Sequence, residues 1–217
     1  MADAVAQYYE LRLERARQAL EKNNFDARLA PDTDAARALV LDEIVGPMGA
    51  ARVGLGGSVS LVKSGIYHGL KDLESLELLD TFDPSLPLDE KMELRRQSLL
   101  TDVFLTGANA VTEDGCLVNL DMIGNRVGAL LFGPKKVVVV AGRNKLVPDV
   151  AAGMERIKEY AACVNAIKLK KKTPCAKTGV CHDCASEDRI CNVWTISEKS
   201  FPAGRVTVVL VNEDLGF

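Results

Sequence analysis

Residues 106–133 read TGANAVTEDGCLVNLDMIGNRVGALLFG, and residues 136–141 follow with Lys-Val-Val-Val-Val-Ala. An unbroken run of four valines marks a strand buried on both faces, since a half-exposed strand would alternate apolar with polar residues. Strands of that kind belong to parallel sheets covered by helices on either side. The stretch ahead of the valines holds a strand end, a turn rich in Asn, Asp, Glu and Gly, a short strand at Cys116–Leu120, and a Gly-Asn turn opening a helix over Val127–Phe132. Strand and helix signals in alternation predict an α/β fold with a mostly parallel sheet.

The same alternation continues outwards. Tyr8, Leu11, Leu13, Ala16 and Leu20 recur near helical spacing, so a helix is expected over about 1–23, packed on the outside of the domain or extended as a coiled-coil arm. A short strand is expected at Phe25–Ala30. Pro31-Asp32-Thr33-Asp34 then signals the start of a helix over Ala35–Val45. Ala51–Gly56 reads as a strand entering a glycine turn, with Ser58 placed to cap a helix to about Ser64. Leu76–Leu79 and Val103–Leu105 are expected strands, Asp89–Leu100 and Pro148–Ala162 expected helices, and Arg205–Asn212 the last strand. Residues 168–192 break the rhythm with lysines, cysteines and glycine, and read as a loop or insertion before that strand. The whole chain, 1–217, reads as one domain.

Ligands of parallel sheets sit beyond the carboxyl ends of the strands. Three turns are expected there. Gly56, Gly57 and Ser58 form a tight strand-to-helix turn or a cradle for an anion. Thr106, Asn109, Asn119, Asn125 and Arg126 follow in the central block, and Asn144 and Lys145 after the valine strand, so two cations suit a carboxylate or phosphate. Glu113 and Asp114 are the candidate acid/base pair, although Asp114-Gly115 is also a hairpin-turn signal.

Cys175, Cys181, Cys184 and Cys191 lie within one short segment, the middle two as a Cys-x-x-Cys pair. Four thiolates suit an iron–sulfur cluster or tetrahedral zinc, and the alternative is that no metal binds. Cys116 and Cys163 stand apart and read as small buried hydrophobes. With only two histidines, His68 and His182, a Ser/His/Asp triad is not expected.

A net charge of -3 gives no global pull towards nucleic acid, and 5% aromatic residues leave little for base stacking. Residues 1–17 hold no apolar core behind a basic start, and no run is long enough for a membrane span, so a cytoplasmic protein is expected.

The turn Gly56-Gly57-Ser58, the block TGANAVTEDGCLVNLDMIGNRVGAL, the segment VVVVAGRNK (137–145) and the ending GRVTVVLVNEDLGF (204–217) together resemble the lactate-utilisation (LUD) domain family. The resemblance runs from the first helix to the last strand. It implies the fold of ribose-5-phosphate isomerase and the CoA transferases. It also implies a part in oxidising lactate or a similar 2-hydroxy acid, as a redox component. It favours iron–sulfur over zinc at the four cysteines, because several relatives carry cysteine-ligated clusters. It implies other subunits of a lactate-oxidation system as partners, beside the small anionic ligand that the strand-end turns suit, and a homo-oligomer is the further partner to test. The block is also similar to a Gly-Ala-Asp-Ala motif of methylthioribose-phosphate isomerases, where the Asp is an acid/base residue. Here that position is Asn109, which transfers no proton, while Asn119 matches the motif's later Asn. An isomerase, transferase or hydrolase acting on a phosphate, carboxylate or CoA ligand, or a sensor for one, with a structural cysteine site, is the alternative function.

Overall fold

The computed structural model describes residues 2–49 and 51–217, and side chains from residue 4 onwards within them; Met1, the first residue of the expected N-terminal helix, lies outside the described residues. Helix α1 (Ala2–Lys22) leads into β1 (Asp26–Ala30) and α2 (Thr33–Ala38), which continues as a π-helical stretch over Leu39–Val45. Next come β2 (Arg52–Leu55), the short helices α3 (Val59–Lys63) and α4 (Ile66–Lys71), β3 (Glu77–Leu79) and α5 (Leu88–Gln97). Strands β4 (Val103–Thr106), β5 (Ala110–Thr112) and β6 (Leu117–Asp121) precede α6 (Asn125–Leu131), β7 (Lys136–Gly142) and β8 (Leu146–Val147). Helix α7 (Val150–Arg156) runs through a π-helical turn (Ile157–Ala161) into α8 (Ala162–Lys168). The cysteine-rich segment contains α9 (Pro174–Thr178), followed by β9 (Val193–Ser197) and β10 (Val206–Val211).

Six strands form one all-parallel sheet in the order β1-β10-β7-β4-β2-β3. The valine strand β7 is central, between β10 and β4. Its side chains serve both faces: Val137 and Val139 join a core with α1 and α6, and Val138 and Val140 join a core with α2, α3 and α4. All four are fully buried. Alternate residues of a strand point to opposite faces, so the unbroken apolar run is what two cores demand of one strand.

The helix starts follow local chemistry. Asp32 caps α2, its carboxylate accepting from Ala35 N at 2.7 Å, which starts the helix two residues before the expected Ala35. Ser58 Oγ accepts from Leu61 N at the start of α3, as its position predicts. The helix expected over Pro148–Ala162 runs on to Lys168, because Ile157, Ala161 and Ala166 keep burying one face.

A second sheet, order β8-β5-β6-β9, departs from the sequence expectation. Cys116–Leu120 was legible as a strand, but it pairs antiparallel with β5 and β9 and not within the main sheet. Strand β9 carried no recognisable pattern, because it is an edge strand of mixed exposure whose residues gain their partners only from β6.

The β5–β6 turn is the hairpin that Asp114-Gly115 signals, and α1 docks on it. Arg12 Nε and Arg15 Nη2 donate to the Glu113 carboxylate at 2.7 and 2.8 Å, and Asn23 Nδ2 donates to the carbonyls of Asp114 and Gly115. Gly115 has φ of 90°, and a Cβ there would lie 2.5 Å from the main-chain carbonyl carbon of Ala19 in α1. Gly115→Ala is therefore expected to lower stability by about 1–3 kcal/mol, from strain at positive φ together with displacement of α1. Urea unfolding measures this, and a midpoint equal to wild type would show that α1 does not press on the turn. Among the described residues, no helix is long and apolar enough to cross a membrane.

Candidate functional site

At the carboxyl ends of β2, β4 and β7 the chain leaves the sheet through Gly56-Gly57-Ser58, Gly107-Ala108-Asn109 and Gly142–Lys145. The π-helical turn Ile157–Ala161 and α8 close over these turns and border a cavity of about 130 Å³. Gly57, Ser58, Asn109, Arg126 and Lys145 line it, together with Asp121, Asn165, Lys168 and Phe217.

Arg126 is the frame of the site. It is 7% exposed, and its guanidinium is spent on the protein: Nη1 donates to Gly107 O (3.0 Å) and Asn119 Oδ1 (2.7 Å), and Nη2 to Asn109 Oδ1 (2.7 Å) and Leu120 O (3.3 Å). Nε faces Asp121 Oδ1 at 3.3 Å. Its own helix start is tied to the same carboxylate through Arg126 N. The arginine thus stitches the β4 turn to β6 and α6, with Asn109 and Asn119 as acceptors.

Lys145 differs. It is 4% exposed, and its Nζ donates to Ser60 Oγ at 2.9 Å. Among the described residues no carboxylate forms an ion pair with it, while two guanidinium groups, Arg156 and Arg126, stand nearby. Burial, reinforced by those two cations, holds its ammonium down to about 7. Arg156 is fixed by donating to Asn109 O (2.8 Å) and Asn144 O (3.1 Å). Arg126, Lys145 and Lys168 in the lining, with Arg156 beside Lys145, outweigh the carboxylate of Asp121 and leave the cavity electropositive, and a low-dielectric wall strengthens that field.

The remaining candidates divide by place. Gly56 and Thr106 pack against each other behind the wall, where a Cβ on Gly56 would come within 2.7 Å of Thr106 Oγ1. Asn119, fully buried, braces Arg126 and donates nothing to the cavity lining. Asn144 holds the last residues in place through Leu215 N and Gly216 O. Asn125 lines an adjoining groove that continues the cavity past Gly57, Asp121 and Arg126 towards Arg95 and Thr81.

Glu113 and Asp114 are not brought to this cavity. Their hairpin lies at the docking face of α1, where Glu113 is held by Arg12 and Arg15, and Asp114 by Thr112 Oγ1. The physical reason is the second sheet: β5 and β6 carry the turn between them away from the strand ends of the main sheet. Glu113→Gln is expected to leave ligand binding unchanged and to cost about 1 kcal/mol of stability, seen as a small fall in Tm. A loss of binding in that variant would return Glu113 to the site. Cys116 is buried beside Asp114, and burial pushes its thiol up, which suits packing and not nucleophilic attack.

Sequence reading missed Ser60, Arg156, Arg95, Asn165 and Phe217. Ser60, two residues past Ser58, acts by accepting from Lys145, and Arg156, on a helix read only as packing, by donating to the main chain of Asn109 and Asn144, and nothing local marks either contact.

A second, smaller cavity of about 20 Å³ lies under the cysteine-rich segment. Cys175, Cys181, Cys184 and Cys191 line it, and so does Cys163 from α8. Cys163 is thus not the isolated thiol that its position in the sequence suggests. All six cysteines of the chain are free. Among the described residues no three metal-ligating side chains are already drawn together as a group that could hold an ion. Lys158 and Arg189, which clamp Asp183, are the cations beside Cys191, whereas Lys171 and Lys172 of the lysine run hold Asp188. His182 is exposed and pairs with Thr178 Oγ1 at 2.9 Å. Ala162 and Ile190 line both cavities, so one layer of side chains separates the cation pocket from the cysteines.

The fold is shared with a solved structure, the DUF162 family protein from Deinococcus radiodurans, at a TM-score of 0.51 and 16% identity over 94% of this chain and 97% of that one. No curated protein matches the chain. The LUD domain profile matches residues 13–211, from α1 to the end of β10. The chain therefore belongs to the LUD domain family, the lactate-utilisation family.

Proposed function

We propose that this protein supports oxidation of lactate or a similar small 2-hydroxy acid, holding the acid in the strand-end cavity and acting as a redox component through its cysteine site. The observation that carries the reading is the shared wall: a cation-rich pocket and a five-cysteine cavity meet at Ala162 and Ile190.

Lys145 supplies the uncommitted charge for a carboxylate, Arg126 and Arg156 add to the field from fixed positions, and the glycine turn at Gly57 leaves room for the ligand. A cavity of about 130 Å³ suits a molecule of few heavy atoms. Removing two electrons and two protons from a 2-hydroxy acid gives the 2-oxo acid. No residue here accepts a hydride, so that step belongs to a partner subunit carrying a flavin or nicotinamide. The cysteines offer soft thiolate donors, with Lys158 and Arg189 to offset their charge, and this donor set suits iron–sulfur or zinc. A bound iron–sulfur cluster would pass electrons one at a time.

Protein purified without air and titrated with L-lactate, pyruvate and inorganic phosphate tests the reading. The expected result is a rise in Tm with the 2-hydroxy or 2-oxo acid, and iron with sulfide in the purified protein. Stabilisation by phosphate alone, with no iron, would favour the transferase or isomerase alternative and a structural cysteine site.

A further inference from the structure

We infer that Lys145 is a nucleophile as well as a cation: its side-chain amine forms a reversible imine with the carbonyl of a small 2-oxo acid held in the strand-end cavity. The inference rests on the proposed binding of such an acid there.

The amine is buried, yet it borders open space. Lys145 is 4% exposed and lines the cavity. It closes the single 3-10 turn that follows β7, so the central strand of the sheet fixes where its side chain starts. Glycines keep the ground around Nζ clear. A Cβ on Gly107 would lie 3.6 Å from Nζ and one on Gly216 3.5 Å, and a longer side chain at either place would crowd the nitrogen.

The hydrogen bonding leaves a lone pair over. Among the described residues Nζ makes one hydrogen bond, to Ser60 Oγ at 2.9 Å. Ser60 Oγ gives its own proton to Leu215 O at 3.3 Å, so towards Lys145 it can only accept. An N–H therefore points to the serine, and the lone pair of the neutral amine is left for the cavity. The charged groups around it are Arg156 from α7 and Arg126 from α6, each held by main-chain carbonyls, while the Asp121 carboxylate of β6 is taken up by Arg126. Burial and these two cations hold the ammonium down to about 7, so much of the amine is unprotonated at neutral pH. A desolvated lysine beside other cations is a setting in which lysine attacks carbonyls.

The steps balance without an oxidant. The amine nitrogen bonds to the 2-oxo carbon, and one of its protons passes to the carbonyl oxygen to give a carbinolamine. The new hydroxyl leaves with the second amine proton as water, and a C=N bond remains. Ser58 Oγ flanks the same point, since the Gly107 Cβ would lie 2.8 Å from it, and its hydroxyl is placed to carry a proton to the departing oxygen. Lys168 and Asn165 in the lining remain for the carboxylate. A 2-hydroxy acid offers no carbonyl to attack and meets Lys145 by charge alone. The cavity thus tells the oxidised acid from the reduced one by a bond that water reverses.

Borohydride trapping on the full-length chain at neutral pH tests this. Pyruvate followed by sodium borohydride is expected to raise the mass of the chain by one pyruvic acid less one oxygen atom. Peptide mapping should place that adduct on Lys145, and excess L-lactate should reduce it several-fold. L-lactate with borohydride should add nothing. Lys145→Met, which puts an uncharged side chain in a buried position, should keep the wild-type circular dichroism and lose the adduct. Pyruvate that raises Tm yet leaves Lys145 unmodified after borohydride, with or without adducts on exposed lysines, overturns the imine and leaves the binding reading standing. A chain that shows neither a Tm shift with pyruvate or L-lactate nor an adduct on Lys145 overturns both.

Discussion

Arg126→Ala is expected to destabilise the protein by about 3–5 kcal/mol, the range for removing one partner from a buried ionic network. The side chain is 7% exposed and serves Gly107 O, Asn109 Oδ1, Asn119 Oδ1, Leu120 O and Asp121. Truncation takes the guanidinium donors from the Asp121 carboxylate, two amide oxygens and the carbonyls of Gly107 and Leu120, in a region water does not reach freely, and leaves Asp121, Asn109 and Asn119 only their main-chain donors. Those desolvation losses, and not the lost attraction alone, make the effect large. For a chain of 217 residues this corresponds to a fall in Tm of roughly 10 °C. Arg126→Lys should rescue little, since a point-charged ammonium cannot reproduce the planar fork that reaches Asn109 and Asn119 together. Thermal unfolding of both variants checks this. An Arg126→Ala protein melting within a degree or two of wild type would show that the network contributes little and that the cavity wall stands without it.

Lys145 carries the second large effect, and its sign follows from linkage. Burial, with Arg156 and Arg126 beside it, lowers the folded-state value to about 7, whereas the unfolded chain holds the proton up to the ordinary lysine range. Between about pH 7 and 10.5 the unfolded state therefore binds more protons, and stability rises with pH. The cost of a charged Lys145 is fully present below about pH 7 and is gone above the unfolded value. Lys145→Met should accordingly be more stable than wild type at pH 6, by roughly 3–5 kcal/mol, with the difference vanishing near pH 10. Ligand binding runs the opposite way. A carboxylate needs the ammonium, so affinity should be highest below about pH 7 and weaken by about tenfold per pH unit above it, and Lys145→Met should lose both the binding and its pH dependence. Calorimetric titration of L-lactate from pH 6 to 9, beside denaturant unfolding over the same range, reads both. Affinity that does not change with pH would remove Lys145 from the binding role.

The two effects pull against each other. A buried cation with no carboxylate partner weakens the fold, and such groups persist where function needs them. An anion in the cavity relieves that cost, so ligand should stabilise wild type most under the acidic conditions where the empty protein is weakest.

Much of this was legible in the residue pattern. The valines at 137–140 declared a doubly buried strand, the Asp32 and Ser58 caps marked helix starts, and Gly57, Ser58, Asn109, Arg126 and Lys145 were read at strand ends, where they line one cavity. These are local signals, because alternation, capping and turn chemistry act over a few residues and leave their mark in the sequence. What the sequence did not carry was which turn faces which cavity. Glu113 and Asp114 looked equivalent to Asn109 as strand-end residues, yet the antiparallel pairing of β5 and β6 turned them towards α1. Strand β9 had no pattern of its own and exists through its partner β6. Cys163 read as an isolated core thiol until the fold laid the loop of residues 174–191 over α8. Sequence by itself determined the parallel α/β architecture, the family and most of the cation pocket, because burial periodicity and turn geometry are written residue by residue. Only the tertiary structure decided the second sheet, the removal of the acidic pair and the meeting of five cysteines, because those depend on contacts between segments tens of residues apart, where neither partner carries a mark of the other.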